Sequence, residues 1–156
     1  MPFTRLTLPL SLSLLLTLGA CGTTPAIQST SLAGSSWVVS AVDEEGNDWR
    51  GSTLYIHSDH TDAQGQRSMR GHFCWTTRVA QGKEVFEGSV SPHGELQWLG
   101  VALPPPSRNL ATGRYLAQLR DPQLLQGRWL GDAADVVPST WSAKRTPQNL
   151  SRCAWE

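Results

Sequence analysis

The sequence predicts an all-β fold: a small antiparallel up-and-down β-barrel of about eight strands, with a β-sandwich as the alternative. Three observations carry this. No window sustains the 3.6-residue apolar period of a helix, whereas two-residue alternation recurs along the chain. Turn residues interrupt the alternation every ~8–14 residues, as in sandwiches and barrels. Glycine also recurs two residues from a large side chain on one strand face: Gly71 with Phe73, Gly88 with Phe86, Gly113 with Tyr115, Gly127 with Trp129. Such a glycine lets a strand bend and a neighbouring ring lie across it, which favours closure into a barrel. Closure also removes exposed sheet edges.

The elements follow in order. Trp37, Val39 and Ala41 share one face of a first strand, which ends at the turn Asp43-Glu44-Glu45-Gly46. Residues 49–57 make a second strand, and Met69, Gly71, Phe73, Trp75 and Thr77 line one face of a third. Residues 84–90 and 95–101 flank the turn Ser91-Pro92-His93-Gly94. The run Leu103-Pro104-Pro105-Pro106-Ser107 is a loop, because proline has no N–H to give to a ladder. Residues 113–120 and 124–130 flank Asp121-Pro122, and residues 139–145 close the series.

The chain has 156 residues, with 13 basic and 13 acidic side chains. Zero net charge excludes the basic surplus that a nucleic-acid binder needs, so no nucleic-acid partner is expected. Residues 1–20 carry Arg5, then a leucine-rich stretch with no acid, the pattern of a secretory signal. The stretch ends Leu18-Gly19-Ala20-Cys21, which resembles the signal box of bacterial lipoproteins. That resemblance implies cleavage before Cys21, acylation of its thiol and new amino terminus, and a membrane partner through that lipid anchor. Gly22 in place of Asp implies the outer membrane, with the domain facing the periplasm or the surface. Residues 21–33 then read as an acylated flexible tether, 34–145 as the barrel, and 146–156 as a tail.

With Cys21 consumed by lipid, Cys74 and Cys153 remain, and an exported pair has one connectivity. A disulfide between them would staple the tail to the barrel. Gly34-Ser35-Ser36-Trp37 at the first strand and Trp141-Ser142-Ala143-Lys144-Arg145 at the last resemble the calycin group of lipocalin- and avidin-like barrels. There a tryptophan of the first strand meets a basic residue of the last, so Arg145 is expected over the Trp37 ring. The glycine here stands one residue further from the tryptophan than in that group, and the loops are short for a roomy cup.

Candidate chemistry is sparse. His57 and Asp59, at one face of a strand end, with His60 and with His72 from a neighbouring strand, form the one cluster with zinc-ligand chemistry. A solvated loop accounts for the same residues, so no metal or other cofactor is expected. No Gly-x-Ser-x-Gly elbow, HExxH, CxxC or phosphate loop occurs, and Glu84 and Glu87 fall on opposite strand faces. The chain is therefore expected not to be an enzyme. Seven tryptophans against two tyrosines and three phenylalanines supply much of the core area. Trp49, Trp98 and Trp155 are hard to place together inside a small core. Trp49, Trp75 and Trp98 are the expected contacts for a small apolar ligand, a glycan or an envelope partner protein. A non-catalytic envelope lipoprotein with a lipocalin-like binding module is the leading reading. The alternatives are a structural or inhibitory lipoprotein acting through protein contacts, and a small metal-dependent hydrolase using His57, Asp59 and His60.

Overall fold

The computed structural model describes residues 31–132 and 137–156. The leader, the lipidation site Cys21 and most of the expected tether lie outside the described residues. Eight strands follow one another: β1 (Ser35–Asp43), β2 (Ser52–Thr61), β3 (Arg67–Thr76), β4 (Gln81–Val90), β5 (Glu95–Ala102), β6 (Gly113–Asp121), β7 (Leu124–Gly131) and β8 (Ser139–Thr146). Each pairs antiparallel with the next, and β8 returns to β1, so the sheet closes into a barrel. The sandwich alternative is set aside.

Alternation decides which side chains point inward. Trp37, Val39 and Ala41 of β1, Phe73 and Trp75 of β3, Phe86 of β4, Trp98 of β5, Tyr115 of β6 and Trp141 of β8 all lie in one buried cluster. Phe73 is its hub: its ring stacks on Tyr115 at 4.7 Å and on Trp75 at 4.8 Å, and meets Trp141 edge-on at 5.7 Å. Such ring pairs add ~0.5–1.5 kcal/mol each beyond their buried area. The expected glycine devices are present. A Cβ on Gly71 would fall 2.6 Å from the Phe86 ring, so only glycine lets that ring lie across β3.

Two details differ from the sequence reading. The second strand begins at Ser52 rather than residue 49. Gly51, at φ 86°, turns the chain first, and Trp49 stays in the β1–β2 connection. A register shift between Ile56 and Ser58 also breaks the alternation of β2. It leaves His57 outside and brings Asp59 round to pair with inward-facing Met69.

The barrel ends are unlike each other. The base is sealed. Leu32, at the end of the segment expected to be a tether, is wholly buried there, and its amide donates to Asp59 Oδ2 at 2.6 Å. Arg67 forks onto both oxygens of Asp59. Arg145 stands 5.9 Å from the Trp37 ring centre, as the first- and last-strand motifs led us to expect. The tail crosses the outside of the barrel. Cys74 and Cys153 are bonded, and Leu150 N donates to Ser36 Oγ at 3.0 Å. Closing a loop of about 80 residues stabilises by up to ~4–5 kcal/mol on the chain-entropy account.

Candidate functional site

The other end of the barrel holds an aromatic-walled cavity of about 340 Å³, bounded by the β1–β2, β5–β6 and β7–β8 connections. Strand phase sets its floor. Trp75 and Glu84 sit on inward positions near the upper ends of β3 and β4, and Trp129 on β7. Trp49 from the β1–β2 connection and Leu110 from the β5–β6 connection complete the walls. The Trp49 and Trp75 rings stand at 82°, with centres 5.7 Å apart, and so form a corner. Asp43 accepts hydrogen bonds from Asn47 and from the Trp49 side chain, which fixes that ring. Trp129 lies across Gly113, where a Cβ would come within 2.3 Å of its indole nitrogen. That buried Nε1 has no hydrogen-bond partner among the described residues.

Glu84 is the polar centre of the floor, and it is 1% exposed. Its Oε2 accepts from Trp75 Nε1 at 2.8 Å and from the Tyr115 hydroxyl. Among the described residues its Oε1 accepts only the Gly113 amide, at 3.3 Å. Space for the carboxyl comes from Gly100, where a Cβ would stand 2.1 Å from Oε1. No ion pair reaches Glu84 among the described residues. Burial pushes its pKa up to about 7 against the pull of its three donors, and the charge of Asp132 adds to the rise. Tyr115 is pushed well above its ordinary value by burial and by Glu84, so it stays a neutral donor. Among the described residues the cavity is lined by the acids Asp43, Glu45 and Glu84, and by no Lys, Arg or His.

Trp49 and Trp75 therefore meet in one site. Trp98 does not join them: it is 1% exposed, its ring stacked on Phe86 at 4.5 Å inside the core. The expectation that Trp98 is a surface contact is corrected on that ground: it is one of the aromatics that fill the middle of the barrel. Trp155 is half-buried on the tail. Sequence reasoning missed Glu84 and Trp129 as site residues. The signal for Glu84 was present: it is the one charged side chain on the inner face of β4, between Gly82 and Phe86.

The residues with zinc-ligand chemistry are divided by the bulge in β2. His57 and His72 do meet on the outer face, Nε2 to Nδ1 at 2.8 Å. Asp59 is on the opposite face, committed to Arg67 and the Leu32 amide, and His60 is exposed. The idea that His57 and Asp59 share a face is thereby corrected. Burial and the charge of Lys83 hold His57 below its ordinary value and push His72 down to about 4. A neutral pair sharing one proton fits that bond. Cys74 and Cys153 lie beside His72, but their sulfurs are bonded to each other and offer no thiolate.

No protein-family model and no curated protein matches the chain. Among solved structures it is similar to a de novo designed fluorescence-activating β-barrel, with 14% identity and a TM-score of 0.48 over 71% of this chain and 91% of that one.

Proposed function

We propose that this chain is a non-catalytic binding module for a small apolar ligand, held in the bacterial envelope by a lipid at Cys21. The observation that carries the binding reading is the cavity of about 340 Å³, walled by Trp49, Trp75, Trp129 and Leu110 around a single buried acid. Apolar walls with one or two placed polar groups are the usual build of a small-ligand site, and this volume is near the lower end of the range. Glycans are a poorer fit, since their hydroxyls need several polar partners. A binding role is favoured over catalysis by the company Glu84 keeps. Its partners are an indole, a phenol and a backbone amide, so no nucleophile–base pair is assembled around it. The anchor reading rests on the Leu18-Gly19-Ala20-Cys21 box.

The test of binding is titration of the full chain with N-phenyl-1-naphthylamine, a neutral probe that brightens in apolar surroundings. Saturable micromolar binding is expected, and filling the cavity by Leu110→Trp is expected to abolish it. Binding unchanged in that variant contradicts the site. The anchor is tested by growth with labelled palmitate, which is expected to label the natural chain and not Cys21→Ser. A second reading, docking of an envelope protein, is supported by the exposed apolar side chains Leu99, Val101 and Leu116 of β5 and β6.

A further inference from the structure

We propose that the cavity selects organic cations: a small apolar or aromatic amine, or quaternary ammonium, seated between the tryptophans with its charge towards Glu84. This rests on the reading of the cavity as a ligand site, and adds the chemical class of the ligand. Charge is the first argument. Among the described residues three acids and no base line the cavity, so an anionic ligand meets repulsion from each of these charged groups, and a cation meets none from them.

The second argument is the state of Glu84. A buried carboxylate is costly unless a counter-charge offsets it. Asp59 has Arg67, whereas among the described residues Glu84 has only uncharged donors. Two of those donors hold Oε2, so Oε1 is the less occupied oxygen, its one bond being the 3.3 Å contact from Gly113. A ligand cation would supply the missing counter-charge.

The walls give the third argument. Ring faces attract cations within ~6 Å, tryptophan most strongly, and more so where water is excluded. Trp49 and Trp75 form a corner at 82°, and Trp129 adds a third ring. Together they can take the apolar body of the ligand and several faces of its ammonium group.

Protonation adds a consequence. The groups near Glu84 are Trp75 of β3, Tyr115 of β6, Asp132 after β7, and Asp43 and Glu45 from the β1–β2 side. Glu84 titrates at about 7, so a cation binds best to the ionised form. Affinity is then expected to fall about 100-fold between pH 8 and pH 5.

The experiment uses three matched probes on the full chain at pH 8, followed by calorimetry and by ligand NMR for the least soluble. Benzyltrimethylammonium is the cation, neopentylbenzene its neutral isostere, and phenylmethanesulfonate the anion. The cation is expected to bind at least 10-fold tighter than the neutral isostere, and the anion least. Glu84→Gln is expected to bring the cation-to-neutral ratio close to one. Glu87→Gln, on the outer face of the same strand and paired there with Arg70, is expected to leave the ratio unchanged. Should Glu84→Gln fail to fold, the fall in cation affinity between pH 8 and pH 5 takes its place. Equal binding of cation and neutral isostere overturns the charge selectivity and leaves the cavity reading standing. Preference for the sulfonate overturns it as well. Binding of none of the three overturns both.

Discussion

Asp59 and Glu84 are both buried acids turned inward, one at each end of the barrel. Asp59 is at the sealed base. Burial raises its pKa, but Arg67 and the Leu32 amide more than offset this, and the carboxyl stays below its ordinary value. Glu84 is at the end that holds the cavity, with two side-chain donors and an amide but, among the described residues, no cation, and its pKa rises to about 7. A structural acid is thereby told apart from a candidate ligand contact. At the base the counter-charge is built into the fold and the group closes the barrel. At the other end the fold supplies hydrogen bonds, space and aromatic walls, and leaves the counter-charge to come from elsewhere.

The largest expected break in this comparison is Arg67→Met. It leaves Asp59 buried without its partner, and should cost ~3–5 kcal/mol in urea unfolding. Glu84→Gln removes an acid that has no ionic partner among the described residues, and should change stability by about 1 kcal/mol or less at neutral pH. Equal losses in the two variants would erase the distinction.

Next is pH. A carboxyl whose pKa is raised on folding stabilises most below its unfolded value, here 4.5, and the contribution is lost as pH rises through about 7. The span is worth about 3 kcal/mol for Glu84. His72, lowered to about 4, acts in the opposite direction, since stability rises as the unfolded chain gives up its extra proton. Subtracting the Glu84→Gln stability curve from that of the natural chain cancels the histidine. The difference should fall between pH 4.5 and pH 8.

Smaller again is Gly100→Ala, whose new Cβ would meet Glu84 Oε1 at 2.1 Å. Displacing the carboxyl should cost ~1–3 kcal/mol in thermal unfolding and weaken probe binding. The smallest is Arg145→Gln at the base. Loss of its contact with the Trp37 ring should cost ~0.5–2 kcal/mol and leave probe binding unchanged.

Much of the barrel was legible because strand phase is written in the side chains. Trp37-Val39-Ala41, the turn ending in Gly46, the proline loop and the paired glycines are local signals, and the chain follows them. The Cys74–Cys153 bond was also within reach, by elimination once Cys21 is assigned to lipid, and Arg145 over Trp37 through the resemblance of the first- and last-strand motifs to those of calycin barrels. Less was legible at the site. Whether a tryptophan fills the core or lines a cavity depends on neighbours that alternation cannot specify. Trp98 went to the core and Trp129 to the cavity although both sit on inward positions. The bulge after Ile56 leaves no mark in residue type, yet it separates His57 from Asp59. Glu84 could be placed on the inner face, but which groups meet it there is set by other strands, Trp75 of β3 and Gly113 and Tyr115 of β6.

The most direct measurement is the pKa of Glu84, read from its carboxyl carbon by NMR on the full chain, free and with saturating benzyltrimethylammonium. A value of about 7 is expected in the free protein, with a clear fall when the cation binds. A value near 4.5 that the cation does not move would contradict it.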